Sequence, residues 1–515
     1  MSTWSRGYVS DIEYIGGFYR DQSPSIIDFV CLLNGCEPPT AVPGYTYCEL
    51  GCGLGLTATV LAAANPAAQY YAVDFNPAHI ARARELAQSA EIDNVTFLEA
   101  GFDELLAPAA PPLPLFDYVT LHGVYTWVGP EIRRSIVAFL RRFVKPGGAV
   151  YVSYNALPAW SIGLAVQRLL YEHAERGEGG GGRRIERAVA FAEQLRAAKS
   201  GPLSDNPVLD EISKTLRSGD RKYLAHEYLN LGWAPIFFAD LAREFEAAKL
   251  DFVGSAEIFD NFLDFTMTEE QRALLTDVDD PVLRETVKDL CRPRRLRKDI
   301  FVRGVRRMTN LEREHRLRGM AVAAVVPRSS MTCTVRVPIA EAQIPPEVYE
   351  PIFDVLAEGP ATIGALVDGE AVKGHDDAKP VEVAGMVIGS GHAMPLAGDG
   401  TADPAPARRL NRLLGERTRL FDSESQEAFA APALGSGLRN SAVDRLAVAA
   451  LAAGAEATVE ALLPHVLGPI RARGEHMIKE GKAAESEAEN EAIASEMIAA
   501  FLDTSLPLLK RLGGL

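Results

Sequence analysis

Short apolar runs alternate with longer amphipathic stretches over the first 155 residues of the chain. The runs have the length of buried strands, whereas the longer stretches carry apolar side chains at helical spacing. One strand is predicted to begin at Tyr47 and a second to end at Asp74, and three more are predicted at Val95–Leu98, Phe116–Leu121 and Ala149–Tyr154. Helices are predicted at Leu56–Ala64, Pro77–Ser89 and Glu131–Phe143. This alternation predicts an α/β domain in which helices cover both faces of a parallel sheet.

The pattern changes after the glycine run Glu178–Gly182, which predicts a flexible loop. From Arg183 to about Leu290 the apolar spacing is mostly helical. We therefore expect three domains: a sheet domain with an N-terminal lid at 1–165, a helical domain at 166–330 and a mainly helical domain at 331–515.

A helix, a turn and a second helix are predicted near the start of the third region, at Val348–Leu356 and Thr362–Val367. Six acidic residues and no Lys or Arg lie between Pro345 and Glu370, so DNA phosphates would be repelled. This helical pair is therefore expected to serve packing or partner binding. Alanine-rich helices follow at Ala442–Leu463 and Glu485–Phe501.

The most informative motif lies between the first two predicted strands. Glu49 leads three glycines, Gly51, Gly53 and Gly55, and Asp74 closes the second strand 19 residues after Gly55. The glycines permit positive φ and close approach of a ligand to the main chain. The apolar helix that follows would place ligand atoms over its N-terminus. A carboxylate at Asp74 can bind the two hydroxyls of a ribose.

The motif distinguishes two classes of cofactor. A dinucleotide site uses Gly-x-Gly-x-x-Gly, so that a pyrophosphate rests on backbone N–H groups. Here Glu49 precedes a Gly-x-Gly-x-Gly spacing, and its carboxylate would repel a pyrophosphate. The same carboxylate suits the ammonium group of S-adenosyl-L-methionine, which is therefore the expected cofactor.

Several polar residues follow the predicted strands directly. They are Glu49, Asp74, the loops Ala100–Asp103 and His122–Trp127, and Asn155. Ligands of parallel sheets bind beyond the carboxyl ends of the strands, so one shared site is expected at this edge.

Composition limits the classes of function and partner. The net charge of −16 argues against a nucleic-acid partner. The hydrophobic content is 47% and the charged content 24%, without an uninterrupted apolar run of membrane-spanning length. The N-terminus lacks the pattern of a signal peptide, so a cytoplasmic location without a membrane span is expected. The six cysteines form no disulfide framework, and no metal site is predicted.

Several segments together resemble one bacterial family. They are Tyr47–Gly55, His122–Val128, Val152–Asn155, His226–Asn230, Phe252–Ala256, Ile300–Gly304 and Ala433–Gly437. The chain resembles the class I S-adenosylmethionine-dependent methyltransferases that carry a methyltransferase regulatory domain, which include rickettsial protein-lysine methyltransferases. The resemblance implies a Rossmann-like sheet domain, a helical regulatory domain and a winged-helix-like C-terminal domain that serves packing rather than DNA binding.

The resemblance and the motifs assign expected roles to individual residues. The cofactor is expected at Glu49, Gly51, Gly53, Gly55, Asp74, Phe75, Phe102, Asp103 and His122. The candidates for catalysis are Tyr14, Tyr125 and Asn155, and those for substrate binding are Tyr19, Trp127, His226 and Glu227. The family usually carries an acid near the adenine after the third strand, where this chain has Gly101, with Asp103 two residues later.

Alternatives remain open for several of these residues. Tyr125 and Trp127 fit packing as well as substrate binding, and His226 and Glu227 fit an interdomain hydrogen-bonding pair. The basic run Arg292–Arg307 is interpreted as a solvated face that pairs with nearby acids, with docking of an acidic substrate as its alternative.

The expected activity is protein-lysine N-methylation of a protein or cell-surface substrate. Its alternatives are an O-methyltransferase for a cell-surface sugar or small metabolite, and a binding protein with a disused cofactor site. A homodimer is kept open as the assembly.

Overall fold

The computed structural model describes residues 17–39, 44–219, 221–398, 400–418, 427–479 and 482–515, with the side chain of residue 222 left out. Its centre is one mixed sheet. The strands of this sheet are β1 (Thr46–Leu50), β2 (Gln69–Asp74), β3 (Val95–Glu99), β4 (Phe116–Leu121), β5 (Val144–Leu157), β6 (Ile236–Phe237), β7 (Leu250–Ser255) and β8 (Leu296–Arg303). Their order is β3-β2-β1-β4-β5-β8-β7, and the short β6 also pairs with β5.

The five N-terminal strands are parallel, which confirms the predicted α/β class. The sheet then continues beyond them, because β8 pairs antiparallel with both β5 and β7. β7 lies within the part of the chain predicted to be mostly helical. The helix at Phe238–Glu246 agrees with that prediction, but the strand after it was missed because its six residues are too short to show a period of two against flanking helices.

Helices cover both faces of the sheet. The first four are α1 (Pro24–Leu33), α2 (Leu56–Ala64), α3 (Pro77–Ser89) and α4 (Pro130–Phe143). Successive side chains of a strand point to opposite faces, so Tyr47 packs in the core beside α1 and α2, while its neighbour Cys48 joins the core that contains Phe139 of α4. Parallel strands covered in this way direct all their carboxyl ends to one edge.

A helical region follows β5. Its helices are α5 (Leu164–Glu175), α6 (Gly181–Ala197), α7 (Gly201–Ser204), α8 (Pro207–Arg217) and α9 (Arg221–Tyr228). They enclose a separate apolar core that includes Trp160, Tyr228 and Trp233. The chain then returns to the sheet through α10 (Phe238–Glu246), α11 (Leu263–Thr266), α12 (Glu269–Ala273), α13 (Pro281–Cys291) and α14 (Asn310–Gly319).

A buried ion-pair cluster lies where α13 meets β8. We define it as Asp260, Glu285, Asp289, Arg294, Arg297 and Asp299, all of which are buried. Arg297 donates to Asp289 at 2.7 Å, to Glu285 at 2.8 Å and to Asp299 at 2.9 Å. The expectation that the basic run pairs with acids is confirmed. Arg294 and Arg297 are nevertheless buried rather than solvated. Arg297 lies in β8, which has a neighbouring strand on each side, and Arg294 lies just before β8 and pairs with Asp260 and Asp289.

The C-terminal region begins with a small antiparallel sheet, β12-β9-β13. The elements of this part, from the first strand of the sheet to its last, are β9 (Ala321–Ala324), β10 (Thr334–Val337), β11 (Ala340–Gln343), α15 (Pro346–Glu358), β12 (Ala361–Thr362), α16 (Ile363–Asp368), α17 (Pro380–Gly389) and β13 (Ala393–Pro395). Helices α15 and α16 confirm the predicted helical pair. The combination of three helices with a three-stranded antiparallel sheet is consistent with the expected winged-helix-like arrangement.

The rest of this region packs against the sheet domain. Its elements are α18 (Ala405–Arg417), β14 (Ala428–Ala431), β15 (Ser436–Arg439), α19 (Ala442–Ala452), α20 (Val459–Ala472), β16 (Ile478–Lys479), β17 (Lys482–Ala483), α21 (Glu487–Ala500) and α22 (Leu506–Arg511). Asn65 donates to the Gly435 carbonyl at 2.9 Å, and the hydroxyls of Ser23 and Ser436 lie 2.6 Å apart. All nine residues of α2 are consequently buried.

One helix among the described residues, Glu487–Arg511, is long and apolar enough to cross a membrane by length and composition. It comprises α21, a π-helical turn and α22. Buried helices of globular proteins pass the same test, so a single helix of this kind is weak evidence for a span.

Candidate cofactor site

The glycine turn after β1 has the backbone conformation that the sequence predicts. Gly51, Gly53 and Gly55 all have positive φ, at 78°, 53° and 73°. A Cβ atom on Gly55 would lie 2.6 Å from Ala83 and Phe97, and one on Gly51 would overlap Val124. Side chains are therefore excluded from the turn, which leaves its main chain open to a ligand.

The carboxylate of Asp74 lies opposite this turn. It accepts hydrogen bonds from the N–H groups of Gly53 at 3.0 Å and Asn76 at 2.9 Å. The Nδ1 atom of His79 lies 3.3 Å from the same carboxylate. Asp74 is buried and lines the cleft, so its position is fixed by neighbours on both sides.

His79 was not singled out from the sequence. It lies in the first turn of α3, which Asn76 caps by accepting a hydrogen bond from Ala78 N–H at 3.0 Å. The cap is readable in the sequence as Asn-Pro before a helix. The direction of His79 toward Asp74 follows only from the angle at which α3 leaves the sheet.

Glu49 is a buried carboxylate with one open oxygen. Its Oε1 atom accepts a hydrogen bond from Gln22 at 3.3 Å, whereas Oε2 has no partner within hydrogen-bonding distance among the described residues. Burial raises the pKa of Glu49 to about 8. Hydrogen bonding to Gln22 and to the main chain of Ala58 opposes this shift, and the nearby Asp74 adds a smaller increase. A buried acceptor of this kind is satisfied by a cationic hydrogen-bond donor.

The N-terminal segment lies along the edge of the same cleft, as expected of a lid. The N–H of Tyr19 donates to Thr57 at 3.3 Å, and the Thr57 hydroxyl donates to the Gly17 carbonyl at 3.1 Å. The ring of Tyr19 stacks on His122, with 3.8 Å between the ring centroids. These contacts attach residues 17–22 to the helix that follows the glycine turn.

His122 forms part of the cleft wall. Its Nδ1 atom lies 2.8 Å from the hydroxyl of Tyr151. Burial, with a smaller contribution from Lys298, lowers the pKa of His122 to about 3. The ring is therefore neutral at physiological pH and does not repel a cationic ligand.

The cleft encloses about 860 Å³, including its open mouth. Phe75, Phe102, Trp127 and Val128 line it, and the same four residues also line a neighbouring cleft of about 1230 Å³. Asp103 lies in this second cleft together with Gly101. The structure thus brings most of the expected cofactor residues to one edge of the sheet.

The donors and acceptors of the cleft fit S-adenosyl-L-methionine. Glu49 offers an open anionic oxygen to an ammonium group, Asp74 offers a carboxylate to ribose hydroxyls, and Phe75 and Phe102 offer apolar rings to a base. The described residues contain no group of three His, Cys, Asp or Glu side chains that could hold a metal ion.

Four of the expected site residues lie elsewhere. Tyr125 is wholly buried, and its hydroxyl donates to Glu244. The turn after β4 directs the Tyr125 ring into the core against Phe245, which matches the alternative of a packing residue. Asn155 donates to Glu227 at 3.3 Å, and neither residue lines the two clefts.

His226 is buried one residue before Glu227 and also lies outside the lining of the two clefts. The contact between Asn155 and Glu227 matches the alternative of an interdomain hydrogen bond. Burial raises the pKa of Glu227 to about 7 in spite of that bond. Tyr14 lies outside the described residues.

Comparison with known proteins agrees with this site. The family model described as "Methyltransferase domain" matches residues 48–150, and the one described as "Predicted methyltransferase regulatory domain" matches residues 220–303. The uncharacterized protein sll1526 of Synechocystis is 33% identical over 511 residues, which is 99% of each chain. The uncharacterized protein RP789 of Rickettsia prowazekii is 24% identical over 292 residues, covering 56% of this chain and 51% of that protein.

The fold also matches a solved structure over nearly its whole length. PKMT2 from Rickettsia typhi, in complex with AdoHcy, aligns with a TM-score of 0.70 over 97% of this chain and 99% of that chain, at 17% sequence identity. The chain is therefore an enzyme that uses S-adenosylmethionine, and it belongs to the family of class I methyltransferases that carry a methyltransferase regulatory domain.

Proposed function

We propose that this methyltransferase methylates the side-chain amine of lysine in a protein. The observation that carries the proposal is the structural match to Rickettsia typhi PKMT2, which extends through the regulatory and C-terminal regions as well as the sheet domain. The motif resemblance to rickettsial protein-lysine methyltransferases supports the same acceptor.

The cofactor would be held by residues on three strand ends. Glu49 would bind its ammonium group and Asp74 its ribose, while the glycine turn would contact it through the main chain. Phe75, Phe102 and Asp103 would lie around the adenine. When bound, S-adenosylmethionine supplies a methyl group on a positively charged sulfur, so the protein needs to orient the acceptor and exclude water.

A lysine acceptor has to lose a proton before it can attack. Its unperturbed pKa is about 10.4, and burial next to apolar rings lowers that value because the charged form is disfavoured there. Tyr19 and Trp127 offer such rings at the cleft, and the neutral His122 carries a lone pair that can accept a hydrogen bond from an amine. We propose that Tyr19, His122 and Trp127 form the wall that receives the acceptor.

The regulatory domain would support this wall rather than supply the chemistry. Trp127 packs against the helical core that contains Trp160 and Trp233. The hydrogen bond between Asn155 and Glu227 joins the same two regions. We therefore propose that Asn155, His226 and Glu227 position Trp127, and that the three domains at 1–165, 166–330 and 331–515 act as one unit.

The acceptor can be tested with radiolabelled S-adenosylmethionine and delipidated protein from a cell lysate. We expect label that is sensitive to protease, stable to mild base and recovered as Nε-methyllysine after acid hydrolysis. The Asp74→Ala variant provides the control for label that does not depend on the site.

Two outcomes would reject the lysine proposal. Label confined to sugar or small-metabolite fractions would favour the O-methyltransferase alternative. Label that mild base removes from protein would indicate an ester instead of an amine.

A further inference from the structure

A groove between α4 and α10 carries several arginines on an otherwise acidic chain. We call it the arginine groove and define it by Arg133, Arg134, Val137, Arg141, Arg243 and Glu244, which line a space of about 1020 Å³. The net charge of the whole chain is −16, so a cluster of four arginines at one place is a local reversal of sign. Such a reversal attracts anionic groups over about one Debye length, roughly 8 Å at physiological salt.

Two of the four arginines are fixed by neighbours. Arg133 donates to the carbonyls of Tyr125 at 2.9 Å and Ala234 at 2.5 Å. Arg243 forms an ion pair with Asp240 at 2.7 Å. These two residues form the walls of the groove, and their hydrogen-bonding capacity is partly used.

The other two arginines are open. Arg134 and Arg141 are exposed, and neither has a carboxylate within ion-pairing distance among the residues that the structure describes. They are seven residues apart on α4, which places them about two turns, or roughly 10 Å, apart on the same side of the helix. A ligand that pairs with both therefore needs two anionic groups at a similar separation.

The groove begins beside the cofactor site. Arg133, which lines the groove, donates a hydrogen bond to the Tyr125 carbonyl at 2.9 Å, in the short loop that carries Trp127 to both clefts. The loop that carries Trp127 and Val128 leads into the first turn of α4. A polypeptide whose side chain enters the cleft can therefore continue along α4.

We propose that the arginine groove binds an acidic segment of the polypeptide substrate that flanks the acceptor lysine. This inference rests on the proposed function, because it assigns the substrate features recognised at that site. An extended chain advances about 3.3 Å per residue, so acids about three residues apart would reach Arg134 and Arg141. Charge complementarity favours this occupant, since carboxylates pair with guanidinium groups at short range.

The proposal can be tested by fluorescence anisotropy with two labelled lysine peptides in the presence of S-adenosylhomocysteine. One peptide carries pairs of Asp or Glu three residues apart, and the other has Gln at those positions. The variant is the double substitution Arg134→Glu and Arg141→Glu. The matched control is Lys373→Glu with Arg439→Glu, which makes the same charge change at two exposed residues of the C-terminal region.

We expect the groove variant to bind the acidic peptide at least about tenfold more weakly than the unaltered protein, since two ion pairs become repulsive contacts. The Gln peptide should bind both proteins equally, and the control variant should bind the acidic peptide like the unaltered protein. Unchanged affinity for S-adenosylhomocysteine will show that the groove variant is folded.

The proposal is overturned if the groove variant retains full affinity for the acidic peptide, or if the control loses as much. It is also overturned if a short single-stranded oligonucleotide binds in an Arg134- and Arg141-dependent manner while the acidic peptide does not.

Failure of the groove and failure of the lysine proposal give different results. Groove-dependent binding of a peptide whose lysine is never methylated would reject the acceptor assignment and keep the groove. Methylation of the lysine at the same rate by the groove variant and the unaltered protein would reject the groove and keep lysine as the acceptor.

Discussion

Buried charged groups occur at two places in this protein, and they are paired with opposite charges at one place but not at the other. In the ion-pair cluster at α13 and β8, Arg297 contacts three carboxylates within 2.9 Å. At the glycine turn, one oxygen of the buried Glu49 lacks a hydrogen-bond partner among the described residues. Charged groups are buried at both places, but only in the cluster do other residues of the protein provide the opposite charge.

The pKa values of Glu285 in the cluster and of Glu49 at the turn differ for this reason. Although burial raises the pKa of Glu285, its ion pairs with Lys288, Arg297 and Arg294 outweigh burial and lower that pKa to about 2. Glu49 has no such partner, so burial raises its pKa to about 8. The compensated charges of the cluster thus serve the structure. The carboxyl of Glu49 lacks a counter-charge, has one open oxygen and lines the cleft, and these three features together indicate the place of a cationic ligand.

The largest expected effect comes from breaking the cluster. We expect Arg297→Met to lower the free energy of unfolding by about 3–5 kcal/mol, because three buried carboxylates lose a common partner. The control is Arg306→Met, which removes an exposed ion pair with Glu37 and should change stability by about 1 kcal/mol or less. Urea unfolding followed by circular dichroism measures both variants, and similar losses for the two would contradict the distinction between buried and exposed pairs.

A smaller but still large effect is expected at the ribose side of the cofactor site. Asp74→Ala should weaken binding of S-adenosylmethionine by at least about tenfold, because the ribose hydroxyls and the Gly53 N–H lose a charged acceptor. Isothermal titration calorimetry gives the affinity, with Asp93→Ala as an exposed acidic control. Unchanged affinity for the Asp74 variant would show that the ribose lies elsewhere.

A ligand that lacks the ammonium group tests whether Glu49 binds that part of the cofactor. We expect Glu49→Gln, which keeps the shape and the contact with Gln22, to bind S-adenosylmethionine about tenfold more weakly. Binding of 5′-methylthioadenosine should change little. If both ligands weaken equally, Glu49 supports the turn instead of the cation.

The pH dependence of binding provides the finest test. With a pKa of about 8 in the free protein, the carboxyl of Glu49 is mostly protonated at pH 6–7, and pairing with an ammonium group releases that proton. Affinity for S-adenosylmethionine should therefore rise by up to about tenfold per pH unit as the pH increases toward 8.

Calorimetry in buffers of different ionisation enthalpy measures the proton release directly. The Glu49→Gln variant and the ligand 5′-methylthioadenosine serve as controls and should show neither the release nor the pH dependence. Equal proton release by Glu49→Gln would assign the titration to another group.

Individual residues show where sequence reasoning succeeds at the site. Glu49, the three glycines and Asp74 lie within 26 residues, so their relation depends on two strands with the turn and the helix between them. Local backbone requirements of this kind are visible in residue types and spacing. Tyr19, expected to bind substrate, also lines the cleft, where its N–H donates to Thr57 and its ring stacks on His122.

Tyr125 shows where such reasoning ends. Tyr125 and Trp127 share one short loop, yet the first enters the core and the second lines both clefts. The direction of Tyr125 depends on Glu244 in α10, which is 119 residues away, and that of Trp127 depends on the helical core that follows β5. Gln22 was missed for the same reason, since its partner Glu49 lies 27 residues away, whereas the direction of His79 depends on the angle at which α3 leaves the sheet.

The sequence alone determined the α/β class, the cofactor and the edge of the sheet where it binds, because strand length, glycine positions and a leading carboxylate act over short distances along the chain. Only the tertiary structure decided that β7 and β8 complete the sheet, that Arg294 and Arg297 are buried in ion pairs, and that Arg134 and Arg141 are exposed in a groove between α4 and α10. The physical reason is that burial and charge compensation depend on partners remote in sequence, and no local pattern records which partner a side chain will meet.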